Sequence, residues 1–199
     1  MLIPLQTLIE QEGEDRDLLE DILSSFSCEL DADIQSFLHT KAVEFENISK
    51  SRTYFLCDPD KMEKGEFLIL GYFALSLKVL ILPDDMSVRA RKEIDGYRGK
   101  IHGIPIREVP CFLIGQLAKN SNIDSTILSG RELLEAAFSV IYSAMSAVGG
   151  RYVMIECRDE EKLLKFYKDN GFEEFLREPE GQMPMVQMLC RLDGGNIKG

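Results

Sequence analysis

Long apolar runs are missing from this chain. No stretch approaches the roughly 20 consecutive apolar residues that cross a bilayer, and 29% of the residues are charged, so membrane insertion is not expected. A secretory leader is not expected either: Met1 to Gln11 has neither a basic start nor a continuous apolar core. The expected location is the cytoplasm. Metal-ligating patterns are equally scarce. Cys28, Cys57, Cys111, Cys157 and Cys190 form no C-x-x-C pair, and only two histidines, His39 and His102, stand beside them, which argues against a zinc site. Four of the thiols sit in or beside apolar stretches and read as small buried hydrophobes; Cys28 is left open. Positive charge is also in short supply. A net charge of -11 makes the average surface repel phosphate backbones and favours a cationic or amine-bearing partner.

What remains is enough for one substantial core. The 199 residues are 45% hydrophobic, show no internal repeat, and are expected to form a single domain over 1–192 with a mobile tail over 193–199. Charge is unevenly placed. Met1 to Glu46 holds twelve acids against two bases, whereas Lys78 to Arg107 holds seven bases against four acids. Two solvated faces account for this, and a local docking patch at Lys78 to Arg107 is the alternative.

The apolar spacing predicts the elements in turn. After an apolar start, Leu2 to Ile9, comes an acidic stretch and then a helix capped by Asp31, with Ile34, Phe37, Leu38, Ala42 and Phe45 on its buried face. Arg52 to Cys57 and Phe67 to Leu82 read as a hairpin of two strands. Ser87 to Tyr97 is a charged, weakly helical excursion closed by Gly96, Gly99 and Gly103, a candidate variable loop or lid. Val109 to Ala118 has the pattern of a strand covered on both faces. Asn120 to Ser129 is a polar turn into a helix from Gly130 to Val148, stopped by Gly149-Gly150. Tyr152 to Cys157 is a strand, Glu160 to Asp169 a helix ended by Asn170-Gly171, and Phe172 to Phe175 and Met185 to Leu192 close the sheet. Strands first, then strand, helix, strand, helix and strand, is an α+β or mixed α/β layout.

The chemically informative unit is the strand, polar turn and helix that begins at Ser129-Gly130-Arg131. Unpaired amides at a helix start and the positive end of the helix dipole attract pyrophosphate without a cationic side chain. A Ser-Gly before a helix also serves as a simple cap. The second unit is Leu163-Leu164-Lys165-Phe166-Tyr167-Lys168-Asp169-Asn170-Gly171-Phe172.

In these two units the sequence resembles the GNAT acetyltransferase superfamily, whose late helix commonly ends in an "FY-x-x-x-GF" run. Toward the N-terminus the likeness narrows to the subgroup that includes acetyltransferase toxins of toxin–antitoxin pairs. Phe26-Ser27-Cys28, Leu30-Asp31, Ser51-Arg52-Thr53-Tyr54 and Gly71-Tyr72-Phe73-Ala74-Leu75 match its "FxC", "LD", "SRTY" and "GYF-x-L" segments. Leu113-Ile114-Gly115-Gln116-Leu117-Ala118 stands where the family has "LLGRLAV". The resemblance implies a mixed sheet splayed between its fourth and fifth strands, with acetyl-CoA entering the opening as co-substrate. Backbone groups of Leu117 and Lys119 would pair with the pantetheine arm, and Ser129, Gly130 and Arg131 would hold the pyrophosphate. Tyr167 would protonate the departing thiolate; the alternative is a core residue packing one turn from Leu163. The chain departs from the family's Q/R-x-x-G-x-G/A loop, since Ser125-Thr126-Ile127-Leu128-Ser129-Gly130 keeps only the last glycine.

Three functions follow from the resemblance. The first is acetyl transfer from acetyl-CoA to a primary amine of an unknown acceptor. The second is a toxin that acetylates aminoacyl-tRNA and is silenced by an antitoxin, the one reading that brings a nucleic acid partner. The third is a degenerate CoA-binding interaction domain. A homodimer or an antitoxin is the protein partner implied. No general base can be read: Glu108 and Glu156 are candidates that sit at strand ends as solvated charges, and His39 and His102 read as structural or incidental.

Overall fold

The computed structural model describes residues 1–11, 16–177 and 184–192; the tail expected over 193–199 lies outside them. The elements run β1 (Leu2–Pro4), α1 (Leu5–Gln11), α2 (Arg16–Ser24), α3 (Ala32–Thr40), α4 (Ala42–Asn47), β2 (Arg52–Cys57), α5 (Pro59–Met62), β3 (Ile69–Ile81), α6 (Val88–Asp95), β4 (Lys100–Ile101), β5 (Ile104–Pro105), β6 (Glu108–Lys119), α7 (Gly130–Val148), β7 (Tyr152–Arg158), α8 (Glu161–Asp169), β8 (Glu173–Arg177) and β9 (Met185–Arg191). Seven strands form a mixed sheet in the order β1-β2-β3-β6-β7-β9-β8, and β4 and β5 form a separate small hairpin. The mixed α/β architecture agrees with the layout read from the sequence.

The chain forms two compact units. The first comprises Met1–Ser76 and Ile114–Gly149, the second Leu77–Leu113 and the described residues from Gly150 onward. The long strands β3 and β6 contribute to both.

In the first unit, β2 pairs antiparallel with β1 and with β3, and Arg52 faces Leu75 at the end of the β2–β3 ladder. The alternation of Arg52-Thr53-Tyr54-Phe55-Leu56-Cys57 puts Thr53, Phe55 and Cys57 inside, as the period of two demands. Leu5, Leu8, Leu23, Phe26, Cys28, Leu38 and Ala42 close a core with Phe55, Ile69, Tyr72 and Ala118. Asp31 caps α3 as expected, accepting from the Asp33 and Ile34 amides. The single helix expected through Phe45 is interrupted at Lys41, whose φ of -123° leaves the helical range. Thr40 bonds its hydroxyl back to the Ser36 carbonyl at 2.7 Å, a contact that bends helices. The break sets the Phe37 and Phe45 rings edge to face at 5.5 Å. The acidic stretch also contains α2, which the sequence reading passed over; Leu19, Ile22 and Leu23 recur there on the inward side.

In the second unit, β6 and β7 run parallel through Phe112 with Val153 and Leu113 with Met154, and β9 pairs antiparallel with both β7 and β8. The charged excursion is α6 followed by the β4–β5 hairpin. Ser87 caps α6 through Ala90, and Gly96 ends it at φ +87°. Arg91, expected on a solvated face, is instead fully buried. Its guanidinium donates to the carbonyls of Met86, Ile106, Pro83 and Asp84, so one cation ties both ends of the excursion together.

Candidate functional site

The first unit holds five of the six residues singled out as a site. Within it the strand order is β1-β2-β3-β6, which makes residues 114–119 of β6 its edge. The Asn120 amide donates to the Leu70 carbonyl at 2.9 Å. Backbone polarity alternates along a strand, so Ala118 faces β3 and the backbone groups of Leu117 and Lys119 are turned to the open edge. Gly115 on this stretch is exposed, so the strand is not covered on both faces as its apolar run had suggested.

The start of α7 packs on β3 beside the end of β6. A Cβ at Gly71 of β3 would lie 2.9 Å from Leu128, 3.0 Å from the Ala118 carbonyl and 3.3 Å from Leu133. The glycine of the Gly71-Tyr72-Phe73 segment is therefore the notch into which the helix start docks. The intervening loop is tied down at both ends. Lys119 Nζ donates to the Ser125 carbonyl at 3.1 Å. Asn120, 4% exposed, donates from Nδ2 to Ile69 and accepts at Oδ1 from the amides of Ser27 and Asn122. The Ser121 hydroxyl accepts from the Glu29 amide, and its own amide donates to Ser27. The segment Phe26-Ser27-Cys28 is thus stapled to the end of β6. Cys28, left open by the sequence, is a buried structural thiol. Asn120 is the organising residue that sequence reasoning missed; a polar residue just after an apolar strand is its only signal.

At the helix start the cap and phosphate readings meet. Ser129 Oγ accepts from the Glu132 amide at 3.1 Å, and Glu132 Oε2 accepts from the Ser129 amide at 2.7 Å, a complete capping box. The amides of Gly130 and Arg131 have no partner among the described residues and stay available to an anion. The Arg131 side chain is held by Glu135 at 2.8 Å. Two of the three expected phosphate donors are thus free. The third, Ser129, is taken by a carboxylate whose pKa those same bonds lower.

Tyr167 belongs to the second unit, on α8. It is buried at 7% exposure, with its ring edge to face against Phe166 at 5.0 Å and Phe172 at 5.5 Å. The Phe172 amide returns to the Tyr167 carbonyl, and Gly171 makes the turn at φ +86°, as the Asn170-Gly171 stop predicts. The Tyr167 hydroxyl has no hydrogen-bond partner among the described residues. Burial, with Cys157 adding to it, raises its pKa above the ordinary tyrosine value, so the phenol keeps its proton at neutral pH.

Of the other candidates, Glu156 and His39 are held by structural hydrogen bonds, and His102 and Glu108 lie exposed. Glu156 accepts from Lys78 Nζ at 2.5 Å and from Gln187 Nε2 at 3.0 Å. His39 Nε2 lies 2.9 Å from the Phe26 carbonyl. His102 occupies the exposed β4–β5 turn at φ +50°, and Glu108 is exposed at the start of β6. Burial pushes the Cys111 and Cys157 thiols up to about 11, which makes them poor nucleophiles.

No protein-family model matches the sequence, and no curated protein matches it. Solved structures do. A structure of the toxin AtaT in a tyrosine-to-phenylalanine form, bound to the C-terminus of the antitoxin AtaR and acetyl-CoA, superposes with a TM-score of 0.59 at 22% identity, covering 85% of this chain and 84% of that one. AtaT complexed with acetyl-methionyl-tRNAfMet matches at 0.56 and 25% identity, over 82% and 85%. A tyrosine-to-phenylalanine form of KacT matches at 0.59 and 20%, over 83% and 85%. The chain has the GNAT acetyltransferase fold. Among the described residues, no helix is long and apolar enough to cross a membrane.

Proposed function

We propose that this chain transfers an acetyl group from acetyl-CoA to a primary amine. The observation that carries the reading lies in the first unit, where an open strand edge at Leu117 and Lys119 leads through a pinned loop to a helix start whose Gly130 and Arg131 amides are free. An extended amide-bearing arm can add to such an edge as a strand does, and its phosphates find the helix terminus. The residues fit the co-substrate on this count; Ser129 joins once Glu132 lets go of its amide.

Acetyl-CoA supplies an activated thioester. The acceptor nitrogen forms the new C–N bond as the C–S bond breaks, the nitrogen loses its proton to water, and the sulfur takes one. Tyr167 is the proton donor in this reading, kept protonated by burial. The Leu117 amide, turned to the open edge, is the donor that polarises the thioester carbonyl.

For the acceptor, the likeness to AtaT in complex with acetyl-methionyl-tRNAfMet favours the amino group of an aminoacyl-tRNA, with an antitoxin as the silencing partner. The exposed bases of this stretch, Arg89, Lys92, Arg98, Lys100 and Arg107, would make the local contact that the acidic average surface does not; Arg91 and Lys78 are already engaged within the fold. Incubation with labelled acetyl-CoA and a cell extract split into small-molecule, protein and RNA fractions tests both levels. Label in the aminoacyl-tRNA fraction is the expected result. Label in another fraction keeps the enzyme and removes the tRNA substrate, and acetyl-CoA binding without label in any fraction leaves the degenerate CoA-binding domain.

A further inference from the structure

Strand β3 outruns its neighbour. β2 pairs with it only from Ile69 to Leu75, and within the second unit, whose strand order is β3-β6-β7-β9-β8, residues 77–81 form the outer strand. The Leu82 amide donates to the Arg107 carbonyl at 2.8 Å, so the even positions of β3 face β6 and the backbone groups of Leu77, Val79 and Ile81 point outward. The same three residues carry apolar side chains that are 76%, 49% and 60% exposed, while Leu80 and Leu82 between and beyond them are buried. Among the described residues, an open backbone edge and an exposed apolar stripe coincide on residues 77–81. Soluble proteins ordinarily blunt such an edge with a charge or a proline, and this one has neither on its outward positions.

We propose that residues 77–81 of β3 pair antiparallel with the same residues of a second copy of this chain, joining two sheets across a two-fold axis at Val79. The segment is self-complementary in that register. Leu77 faces Ile81 of the second copy, Val79 faces its own equivalent, and each facing pair exchanges both of its N–H···O bonds, because all three residues turn those groups outward. Every side-chain pair on the exposed face is then apolar against apolar. Charge also permits it. Lys78 is the sole charged residue between Ile69 and Leu82, it is neutralised by Glu156, and in this register it faces Leu80 rather than a like charge. A chain with a net charge of -11 repels its copies over most of its surface, so an uncharged, self-matching strand is where two copies can meet.

Sedimentation or light scattering of the full chain at micromolar concentration gives the test, with circular dichroism melting to show that each variant is folded. The expected result is a wild-type dimer, monomers for Val79→Asp and Leu77→Asp, and a restored dimer for the double variant Leu77→Asp/Ile81→Lys, which puts opposite charges at the facing positions. Val79→Cys, which perturbs the fold least, is expected to give a covalent dimer on oxidation. A monomeric wild type overturns the proposal, including one that dimerises only with an antitoxin present. So does a dimer that Val79→Asp leaves intact, or a folded double variant that stays monomeric.

Discussion

Ser129 and Glu132 close on each other at the start of α7, each accepting the other's amide, at 3.1 and 2.7 Å. The helix terminus proposed to receive pyrophosphate therefore already holds a negative charge of its own. A carboxylate there stabilises the helix through the same dipole that attracts phosphate, so the two compete for one amide.

Removing that competitor is expected to tighten acetyl-CoA binding. Glu132→Ala frees the Ser129 amide and deletes a charge beside the phosphates, so calorimetric titration with acetyl-CoA should give a lower Kd than the wild type. The same variant loses its capping box and melts at lower temperature without ligand. Because the Glu132 pKa is lowered in the folded state, its contribution to stability is present above the ordinary glutamate pKa and lost as pH falls through the depressed value. Melting temperatures of the two proteins should accordingly converge in acid. A constant gap down to the lowest pH would contradict the cap.

Gly130→Asp probes the same terminus from the opposite side. Acetyl-CoA that binds only the native state raises the melting temperature by mass action, and an added carboxylate next to the free Gly130 and Arg131 amides should abolish most of that shift. A shift of unchanged size would remove these amides from the phosphate site.

Asn120 is expected to matter for the loop and the fold together. Asn120→Ala orphans the buried Ile69 carbonyl and the partly buried Ser27 and Asn122 amides, and a buried polar group left unpaired costs about 1–3 kcal/mol. Urea unfolding should show a loss of at least that size, along with weaker acetyl-CoA binding as the loop between β6 and α7 loosens. A stability change near zero would mean that water replaces the amide at no cost.

These residues show where the sequence was legible and where it was not. The hairpin, α7 from Gly130 to Val148 and the Gly171 turn were readable because each rests on local chemistry: apolar periodicity, a capping residue, a glycine at positive φ. Arg91 and Asn120 were not, since each takes its partners from segments distant in the chain, and no local pattern marks a charged or polar side chain that tertiary carbonyls and amides will satisfy. Glu132 was hidden for another reason. Its three-residue spacing from Ser129 is a capping-box signature, but the same Ser-Gly helix start also suits an anion, and the spacing alone does not rank the two. The outward turn of Leu117 and Lys119 came from family likeness in the sequence, and from the Asn120 to Leu70 hydrogen bond in the structure.

Tyr167 separates chemistry from packing most cleanly, because its ring is buried against Phe166 and Phe172 while its hydroxyl has no protein partner among the described residues. Tyr167→Phe keeps the ring contacts and removes only that hydroxyl, so urea unfolding and acetyl-CoA binding should match the wild type. If the phenol supplies the proton to the leaving thiolate, turnover should fall by roughly 10²-fold or more, as for other positioned proton donors. The pH profile adds a second constraint. Burial raises the Tyr167 pKa, so its protonated form persists beyond the ordinary tyrosine value of about 10, and the wild-type rate should show no loss of this acid below that pH. Turnover and stability measured on one preparation decide the matter: a variant that keeps its full rate per folded molecule would leave Tyr167 as a core residue and nothing more.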